Sequence, residues 1–316
     1  MFDLPQNSFY VMAAVVSLLV IASTASFAIS LKNPDKDYTE LSQRINSWWV
    51  MIALLFIVLT VSKNMAIAFF GFLSFLALKE FLSITPTRQI DRKVIFLAYL
   101  AIPIQYYWAA IGWYEMFIIF VPVYVFLALP MRMIFMGETK GFIRSAGTLH
   151  WATMLTVFSI SHIAFLLALT PLNEKAGYIG PVLFLLFMTQ FNDVCQYIWG
   201  KSFGKHKIIP KVSPNKTWEG FLGGLGTVTI CSAFVAPLLT PLNNYQGLIA
   251  GALISLSGFV GDVVISSVKR DLQIKDSGSL IPGHGGILDR LDSLTYTTPL
   301  FFHYLYSAYY LSLIHI

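Results

Sequence analysis

Four aspartates lie in or beside apolar segments, where a membrane-embedded chain would be expected to avoid charge. Asp193 lies within "FNDVCQYIWG", Asp262 within "GFVGDVVISS", and Asp289 and Asp292 close the stretch "HGGILDRLD" before another apolar run. An intramembrane carboxylate costs on the order of a few kcal/mol unless it is paired or hydrated, so it is a functional-site candidate. A favourable interaction with a helix dipole would explain one of the last two carboxylates, but not four carboxylates on one side of the membrane.

Basic side chains accompany these aspartates. Lys269 and Arg270 follow Asp262 where its segment ends, Lys275 lies in the next loop, and Arg290 follows the third aspartate directly. Several carboxylates without a cysteine cluster form a hard-oxygen site, which suits Mg²⁺. Lysine and arginine hold and neutralise phosphate oxygens. The residues alone therefore predict metal-assisted phosphoryl or nucleotidyl transfer, with a lipid phosphate as one substrate because the site is embedded.

A lysine-rich loop, "GKHKIIPKVSPNKTWEG" at 204–220, joins two apolar segments. Lys216 and Glu219 bracket the predicted start of a helix, for which Ser213 or Asn215 would be the N-cap. The free N–H groups of a helix start can bind an anion, so the loop predicts a phosphate site. The alternative is a loop whose lysines only face the cytoplasm and contact anionic lipid headgroups.

Composition places the chain in a membrane. Of its 316 residues 56% are hydrophobic and only 12% charged, with a mean hydropathy of +0.69, whereas soluble domains are about one quarter charged. Long continuous apolar runs favour helices over barrel strands. The predicted fold is an all-α, polytopic transmembrane helix bundle of about ten helices, within a range of nine to eleven. The predicted spans are 9–31, 47–62, 65–83, 94–110, 113–130, 151–170, 178–199, 218–239, 246–267 and 293–314.

The basic residues predict the orientation. With the N-terminus outside, only Lys63 and Lys175 of the 21 lysines and arginines fall in outer loops, which is a strong positive-inside signal. This asymmetry explains most of the net charge of +5, so no nucleic-acid partner is predicted. Cys195 and Cys231 both fall in apolar spans, which argues against a disulfide framework or a cysteine metal site.

The chain divides by content into 1–149, predicted to be a scaffold of transmembrane helices, and 150–316, predicted to be the catalytic transmembrane region. In the first part Glu80 and Glu115 are interpreted as ordinary interfacial residues at helix ends. The lack of an internal repeat argues against a transporter. The glycines of "GFLGGLG" at 220–226 are interpreted as close helix packing rather than as a phosphate loop.

One stretch carries a resemblance to a known family. Residues 266–292, "SSVKRDLQIKDSGSLIPGHGGILDRLD", resemble the signature of the phosphatidate cytidylyltransferases, or CDP-diacylglycerol synthases: Ser-x-apolar-Lys-Arg, then Lys-Asp, then His-Gly-Gly-apolar-x-Asp-Arg-apolar-Asp. The loop at 204–220 is similar to a second block of the family, and the resemblance covers about 190–295. It implies an Mg²⁺-dependent enzyme of phospholipid biosynthesis that makes CDP-diacylglycerol and pyrophosphate by in-line attack of phosphatidate on the CTP α-phosphate.

The resemblance also implies roles for individual residues. Asp262 and Asp289 would bind the metal, with Asp193 and Asp292 as supporting metal or base-binding residues and a second metal ion left open. The other catalytic residues would be Lys269, Arg270 and Lys275, and the substrate-binding residues would be Ser213, Asn215, Lys216, Glu219, His284, Gly285, Gly286 and Arg290. The resemblance predicts a multi-pass protein of the bacterial inner membrane, with its site on the cytoplasmic side, and leaves room for a homodimer.

One departure from the family concerns the substrate. A family run similar to Asp-Thr-Gly-Ala-Tyr reads Asp193-Val-Cys195-Gln196-Tyr197 here. The bulkier residues predict an altered fit of lipid or nucleotide. One alternative is therefore a divergent paralogue that acts on another lipid phosphate. A non-catalytic scaffold or a transporter is a further alternative, which the retained aspartates disfavour.

Overall fold

The computed structural model describes residues 4–32, 37–283 and 285–310. Within these residues the chain forms ten long helices and no β-strand, only two isolated β-bridges. The helices are α1 (Gln6–Lys32), α2 (Thr39–Val61), α3 (Lys63–Ile84), α4 (Arg92–Ile111), α5 (Tyr114–Ile134), α6 (Phe142–Ala168), α7 (Gly180–Phe203), α8 (Trp218–Leu239), α9 (Asn244–Asp271) and α10 (Leu294–Tyr309). The predicted all-α bundle of about ten helices is confirmed.

Eight of the ten helices are long and apolar enough to cross a membrane; α7 and α10 are the exceptions. The α7 helix carries Asn192, Asp193 and Gln196, and the side chains of Asn192 and Gln196 are buried. Its polar residues therefore pack against other helices rather than against lipid. The described part of α10 has 16 residues, so the last predicted span extends beyond the described residues.

Two helices begin at least two turns earlier than predicted. The α2 helix begins at Thr39 rather than at 47, and α6 begins at Phe142 rather than at 151. In α2 the added turns include Glu40 and Arg44, whose side chains form an i,i+4 ion pair of 2.6 Å. A search for continuous apolar residues omits such charged turns, although the helix continues through them. The predicted division at 149/150 falls inside α6, and the functional division stays a prediction.

Glycines bring α7, α8 and α9 close together. A Cβ atom on Gly224 would lie 2.5 Å from the Cγ atom of Gln196, so α8 packs directly against α7 at this point. A Cβ on Gly251 would lie 2.5 Å from the Cβ of Ser232, so α9 packs equally closely on α8. Small residues allow such approach of membrane helices. The packing interpretation is confirmed at Gly220 and Gly224, which both lie against Gln196 of α7.

The predicted inner loops contact one another at one end of the bundle. Arg88, in the loop between α3 and α4, donates from Nη1 to the carbonyl oxygens of Glu138 and Lys140 at 2.9 Å each, in the loop between α5 and α6. At the other end, the Ser8 hydroxyl donates to the Ala176 carbonyl at 2.6 Å, which joins the start of α1 to the loop before α7. The inner loops therefore surround a common surface, on which the candidate site lies.

Candidate functional site

Three of the four predicted aspartates come together at this surface. Asp193 of α7, Asp262 of α9 and Asp292, just before α10, are close enough to interact electrostatically. The Ser293 hydroxyl lies 3.4 Å from both carboxylate oxygens of Asp193. A Cβ on Gly261 would lie 2.6 Å from the Asp292 carbonyl oxygen, so this glycine allows the start of α10 to approach α9. Helix packing therefore creates the carboxylate cluster.

Asp262 is paired with a lysine from the lysine-rich loop. Lys216 Nζ lies 2.6 Å from Asp262 Oδ2 and donates to Gln196 Oε1 at 3.3 Å. The other oxygen of Asp262 accepts a hydrogen bond from the Ser266 hydroxyl at 3.2 Å. Both members of the ion pair are largely buried, with 20% of the lysine and 25% of the aspartate side chain exposed. The lysine predicted to bind phosphate thus neutralises a predicted metal ligand.

Asp289 is bound to a different set of partners. Its Oδ1 accepts a hydrogen bond from Lys269 Nζ at 2.7 Å. Its Oδ2 accepts from the Ser277 N–H at 2.8 Å, the Ser277 hydroxyl at 3.0 Å and the Gly286 N–H at 3.0 Å. Burial raises the pKa of this carboxyl, but the hydrogen bonds from Lys269 and the backbone outweigh burial and hold the pKa below its ordinary value. Asp289 is therefore an ionised anchor of the signature loop, residues 272–287.

Glycine is required where this loop turns back towards Asp289. Gly285 has a φ of +79°, in the left-handed region, and its carbonyl accepts a hydrogen bond of 2.9 Å from the Ile281 N–H. A Cβ on Gly285 would also lie 2.7 Å from Asp289 Oδ2. Both the backbone conformation and the space therefore favour glycine. The predicted phosphate ligand His284 lies outside the described residues.

Glu80 of α3 is a functional candidate that the sequence interpretation missed. Its carboxylate accepts hydrogen bonds from the backbone N–H groups of Ile287 and Leu288, at 2.9 and 2.8 Å, and from the Ser277 hydroxyl at 3.2 Å. The interpretation of Glu80 as an ordinary interfacial residue is wrong, because these contacts bind it to the signature loop. The only signal in the sequence was a carboxylate near the inner end of an apolar segment.

The lysine-rich loop is held by Glu219. The Glu219 carboxylate accepts from the Lys205 N–H at 3.0 Å, and from the His206 N–H and ring Nδ1 at 3.2 and 2.6 Å. The N-cap of α8 is Thr217, whose hydroxyl accepts from the Gly220 N–H at 3.2 Å. The predicted caps, Ser213 and Asn215, were therefore wrong, and Glu219 contacts its own loop rather than an open site.

Two cavities flank the carboxylate cluster and share Asp193 and Tyr197. The first cavity measures about 460 Å³ and lies between α7 and the lysine-rich loop. We call it the nucleotide-side cavity after the predicted role of its lining residues. Its polar lining includes Lys201, Lys207, Ser213, Asn215 and Lys216. The second cavity measures about 950 Å³ and lies between α2, α7 and the signature loop. We call it the lipid-side cavity as a label for the substrate that we propose below. Its lining includes Leu41, Arg44, Trp48, Lys275 and Arg290.

The remaining predicted cations have different surroundings. Arg290 lies at the lipid-side cavity and interacts electrostatically with Asp193, but its Nε is buried without a hydrogen-bond acceptor among the described residues. Lys275 is exposed at the same cavity. Arg270 instead donates to the carbonyl oxygens of Val212 and Ile274, at 3.2 and 3.4 Å, and so joins the two loops. Arg290 and Lys275 are thus better placed than Arg270 to receive an anion.

The carboxylate cluster offers the type of ligand that a hard divalent cation prefers. Asp193, Asp262 and Asp292 offer only oxygen ligands, and their mutual repulsion would be relieved by a positive ion. Within the described ranges, no three histidine, cysteine or acidic side chains already form a group that could hold a metal ion. The cation would therefore complete its coordination with water and phosphate oxygens, as Mg²⁺ usually does.

The two residues that depart from the family pattern have separate environments. Gln196 lines the nucleotide-side cavity, where its Nε2 donates to Asn192 Oδ1 at 3.1 Å while its Oε1 accepts from Lys216. Cys195 is buried among the helices and does not border either of the two cavities as described. Of the two bulkier residues, only Gln196 is therefore placed to alter the fit of a substrate.

A family model and a bacterial relative both match over most of the chain. The model of the cytidylyltransferase family matches residues 42–308. The chain is 42% identical over 294 residues to the uncharacterized protein YnbB of Escherichia coli (strain K12), an alignment that covers 93% of this chain and 97% of YnbB.

Two phosphatidate cytidylyltransferases match a shorter part of the chain. The enzyme of Mycobacterium leprae (strain TN) is 44% identical over 115 residues, which is 36% of this chain and 37% of that protein. The enzyme of Staphylococcus haemolyticus (strain JCSC1435) is 43% identical over 124 residues, 38% of this chain and 46% of that protein. The chain thus aligns with less than half the length of these two enzymes.

Proposed function

Because the chain belongs to the cytidylyltransferase family, we propose that it is an integral-membrane phosphatidate cytidylyltransferase. It would make CDP-diacylglycerol and pyrophosphate from CTP and phosphatidate. The observation that carries this proposal is the meeting of two cavities at Asp193 and Tyr197, beside Asp262 and Asp292. Two phosphate-bearing substrates can then reach one carboxylate cluster from different sides.

The nucleotide-side cavity is the better site for CTP. It is lined by Lys201, Lys207 and Lys216, and three ammonium groups match the charge of a triphosphate. A volume of about 460 Å³ falls within the usual range of small-molecule sites, about 300–1,000 Å³. Gln196 and Asn215 supply amide groups at its wall, which can hydrogen-bond a base or a ribose.

The lipid-side cavity is the better site for the lipid phosphate. Leu41, Ile45 and Trp48 of α2 give it an apolar wall, while Lys275 and Arg290 place cations beside the acidic residues Glu40 and Asp276. A phospholipid needs such a combination, because its acyl chains stay in the bilayer while its phosphate requires positive partners. The buried, unpartnered Nε of Arg290 would gain an acceptor from a phosphate oxygen.

The reaction needs little covalent help from the protein. An oxygen of the lipid phosphate attacks the α-phosphorus of CTP, one P–O bond forms, and the bond to the β-phosphate breaks to release pyrophosphate. The phosphate monoester is already ionised, so no base has to remove a proton first. The contribution of the protein is alignment of the two phosphates and neutralisation of charge by Lys216, Lys269 and Arg290.

Asp193, Asp262 and Asp292 are the residues that would hold Mg²⁺. The cation would neutralise the developing charge on the leaving pyrophosphate. Asp289 can bind the cation as well only if Lys269 gives up its hydrogen bond to Asp289 Oδ1, since Asp289 Oδ2 already accepts three hydrogen bonds. We further propose, from the distribution of basic residues, that the site faces the cytoplasm from a bacterial inner membrane.

The test is transfer from labelled CTP to phosphatidate by detergent-purified full-length protein with Mg²⁺. We expect CDP-diacylglycerol from the parent, a loss of about 100-fold or more in Asp262→Asn, and a change within about threefold in Asp271→Asn. Asp271 is a matched control because it is exposed at the end of the same helix. Equal activity in the parent and Asp262→Asn would contradict the proposed carboxylate cluster.

A panel of acceptors separates phosphatidate from other lipid phosphates. The Gln196 side chain at the cavity wall is the specific reason to include an isoprenoid phosphate and lysophosphatidate beside phosphatidate. Transfer only to another acceptor would support the divergent-paralogue alternative. No transfer to any acceptor by a folded parent would support a non-catalytic role and reject the proposed enzyme.

A further inference from the structure

Glu80 connects the N-terminal half of the chain to the signature loop over a long sequence separation. Its three donors, Ser277, Ile287 and Leu288, lie 197 to 208 residues later in the chain. The two backbone N–H groups belong to the start of the single helical turn Leu288–Leu291. A carboxylate there satisfies donors that have no partner within the turn.

The position of Glu80 on its own helix is unfavourable. It lies near the C-terminal end of α3, which ends at Ile84, and a negative charge near that end of a helix is destabilising. Its exposed neighbour Lys79 forms no ion pair with it among the described contacts. The compensation for this charge therefore comes from the N–H groups of the signature loop and of its helical turn.

Two carboxylates hold the same segment from two sides. The Ser277 hydroxyl lies between them, 3.2 Å from Glu80 Oε2 and 3.0 Å from Asp289 Oδ2. Gly286 also lies between them, since its N–H donates to Asp289 while a Cβ on it would collide with Glu80. Contact with Glu80 of α3 therefore explains why the second glycine of the His-Gly-Gly motif, Gly286, has no room for a side chain.

The segment held in this way carries the groups proposed to act on substrate. Arg290 follows Leu288 by two residues and faces the lipid-side cavity, and Asp292 follows by four and joins the carboxylate cluster. A shift of the helical turn would move both groups together. We propose that Glu80 is a positioning residue, which clamps this turn so that Arg290 and Asp292 keep their places relative to Asp193 and Asp262.

A carboxylate is needed for this task. Both Glu80 oxygens accept hydrogen bonds, one from Ile287 and the other from Leu288 and Ser277. In Glu80→Gln one of these oxygens becomes an NH₂ group, which meets a donor instead of accepting from it. Glu80→Gln therefore breaks the clamp while it preserves the size of the side chain.

The experiment compares Glu80→Gln with Glu115→Gln in the full-length, detergent-purified chain. Glu115 is a matched control because it is an exposed glutamate at a helix end of the same half. We expect Glu80→Gln to lower kcat by about 10- to 100-fold, as displaced reacting groups do, with less than about a threefold change in KM for CTP. Hydrogen–deuterium exchange should accelerate in the peptide that covers 285–292 and stay unchanged in the peptides of α4 and α5. Glu115→Gln should match the parent in every measurement.

The catalytic part of this inference rests on the proposed function, whereas the exchange measurement does not. If the parent makes no CDP-diacylglycerol, the proposed function fails, and local exchange still decides whether Glu80 clamps the turn. Unchanged exchange at 285–292 in Glu80→Gln would overturn the inference, and so would an equal acceleration in all helices, which signals general destabilisation. Should Glu80→Gln not fold, the same exchange comparison is made with Glu80→Asp, whose shorter side chain keeps the charge but withdraws the carboxylate from the N–H groups of Ile287 and Leu288. Faster exchange confined to 285–292 in that variant supports the clamp, and unchanged exchange overturns it.

Discussion

Among the residues of the site, two carboxylates form ion pairs with lysines. Lys216 contacts Asp262 and Lys269 contacts Asp289, both through N···O distances below 3 Å. Each pair joins a residue predicted to bind phosphate to one predicted to bind metal. Because the pairs are largely buried, removal of one member leaves an uncompensated charge in a poorly solvated place.

Lys216 provides a test at this scale. We expect Lys216→Met to lower kcat/KM for CTP by about 100-fold, because the variant loses a phosphate ligand and leaves Asp262 unpaired. Steady-state transfer rates over a range of CTP concentrations measure the effect. The control is Lys211→Met in the same loop, whose lysine is exposed and is not part of the nucleotide-side cavity lining, and we expect a change within about twofold. Equal losses of kcat/KM in the two variants would instead support the alternative in which the lysines of this loop only contact lipid headgroups.

Single residues were predictable where their chemistry conflicts with their surroundings. Asp193 and Asp262 were identified because a charge in an apolar helix requires a reason. Glu80 was missed because its partners lie about 200 residues away and a carboxylate near a helix end has an ordinary explanation. Thr217 was missed as the N-cap because Ser213 and Asn215 precede it with equal capping ability, and local sequence does not rank them.

At the scale of helices, close packing of α9 on its neighbours positions the site. Gly251 faces α8, while Gly261 faces the backbone at the start of α10. Both glycines lie on the helix that carries Asp262. The register of α9 against α10 therefore fixes the distance between Asp262 and Asp292.

Gly261 tests this dependence. A Cβ at this position would lie 2.6 Å from the Asp292 carbonyl oxygen and 3.1 Å from the Ser293 Cα, and backbone atoms cannot move aside by a change of rotamer. We expect Gly261→Ala to destabilise the protein by about 1–3 kcal/mol, as overpacking does, and to reduce transfer by about tenfold or more. Thermal unfolding in detergent and the transfer assay measure the two effects.

Gly226 is the matched control for that substitution. It lies in α8, and a Cβ there would meet nothing within 4 Å. We expect Gly226→Ala to keep its activity and to be unchanged or more stable by up to about 1 kcal/mol, since alanine favours a helix over glycine. If both alanine variants behave alike, close approach of α10 to α9 at Gly261 does not position the site.

The existence of the helices was predictable from their apolar runs, whereas their ends were not. The turns at Thr39 and Phe142 that begin α2 and α6 mix polar and apolar residues. A predicted apolar span stops at the polar residues, although the backbone hydrogen bonding continues through them. The π-helical segments Phe120–Val125 and Met154–Phe158 likewise have no signature in the apolar pattern. Tertiary packing decides these features.

For the whole molecule, the inner loops meet at one end of the bundle and the start of α1 lies at the other. From the distribution of lysine and arginine we propose that the first end faces the cytoplasm. The contact of Glu80 with the signature loop also joins residues 1–149 to residues 150–316. The first half therefore contributes to the organisation of the site as well as to the scaffold.

Cysteine labelling tests the orientation. In a background with Cys195→Ala and Cys231→Ala, we expect a membrane-impermeant maleimide to label Lys175→Cys in intact cells. Lys211→Cys should be labelled only after the membranes are opened, because we propose that its loop faces the cytoplasm. The reverse labelling pattern would show that the orientation is opposite to the proposed one, with the carboxylate cluster on the outer side of the membrane.

The pairs Lys216–Asp262 and Lys269–Asp289 also have a consequence for the order of ligand binding. Free Mg²⁺ that binds either carboxylate has to displace an ammonium group and leave it without a counter-ion. A nucleotide triphosphate that arrives with the cation gives the released lysines new oxygen partners, so ion pairs are exchanged rather than lost. We therefore expect positive cooperativity between nucleotide and metal. By thermodynamic linkage, each ligand then raises the affinity of the other by the same factor.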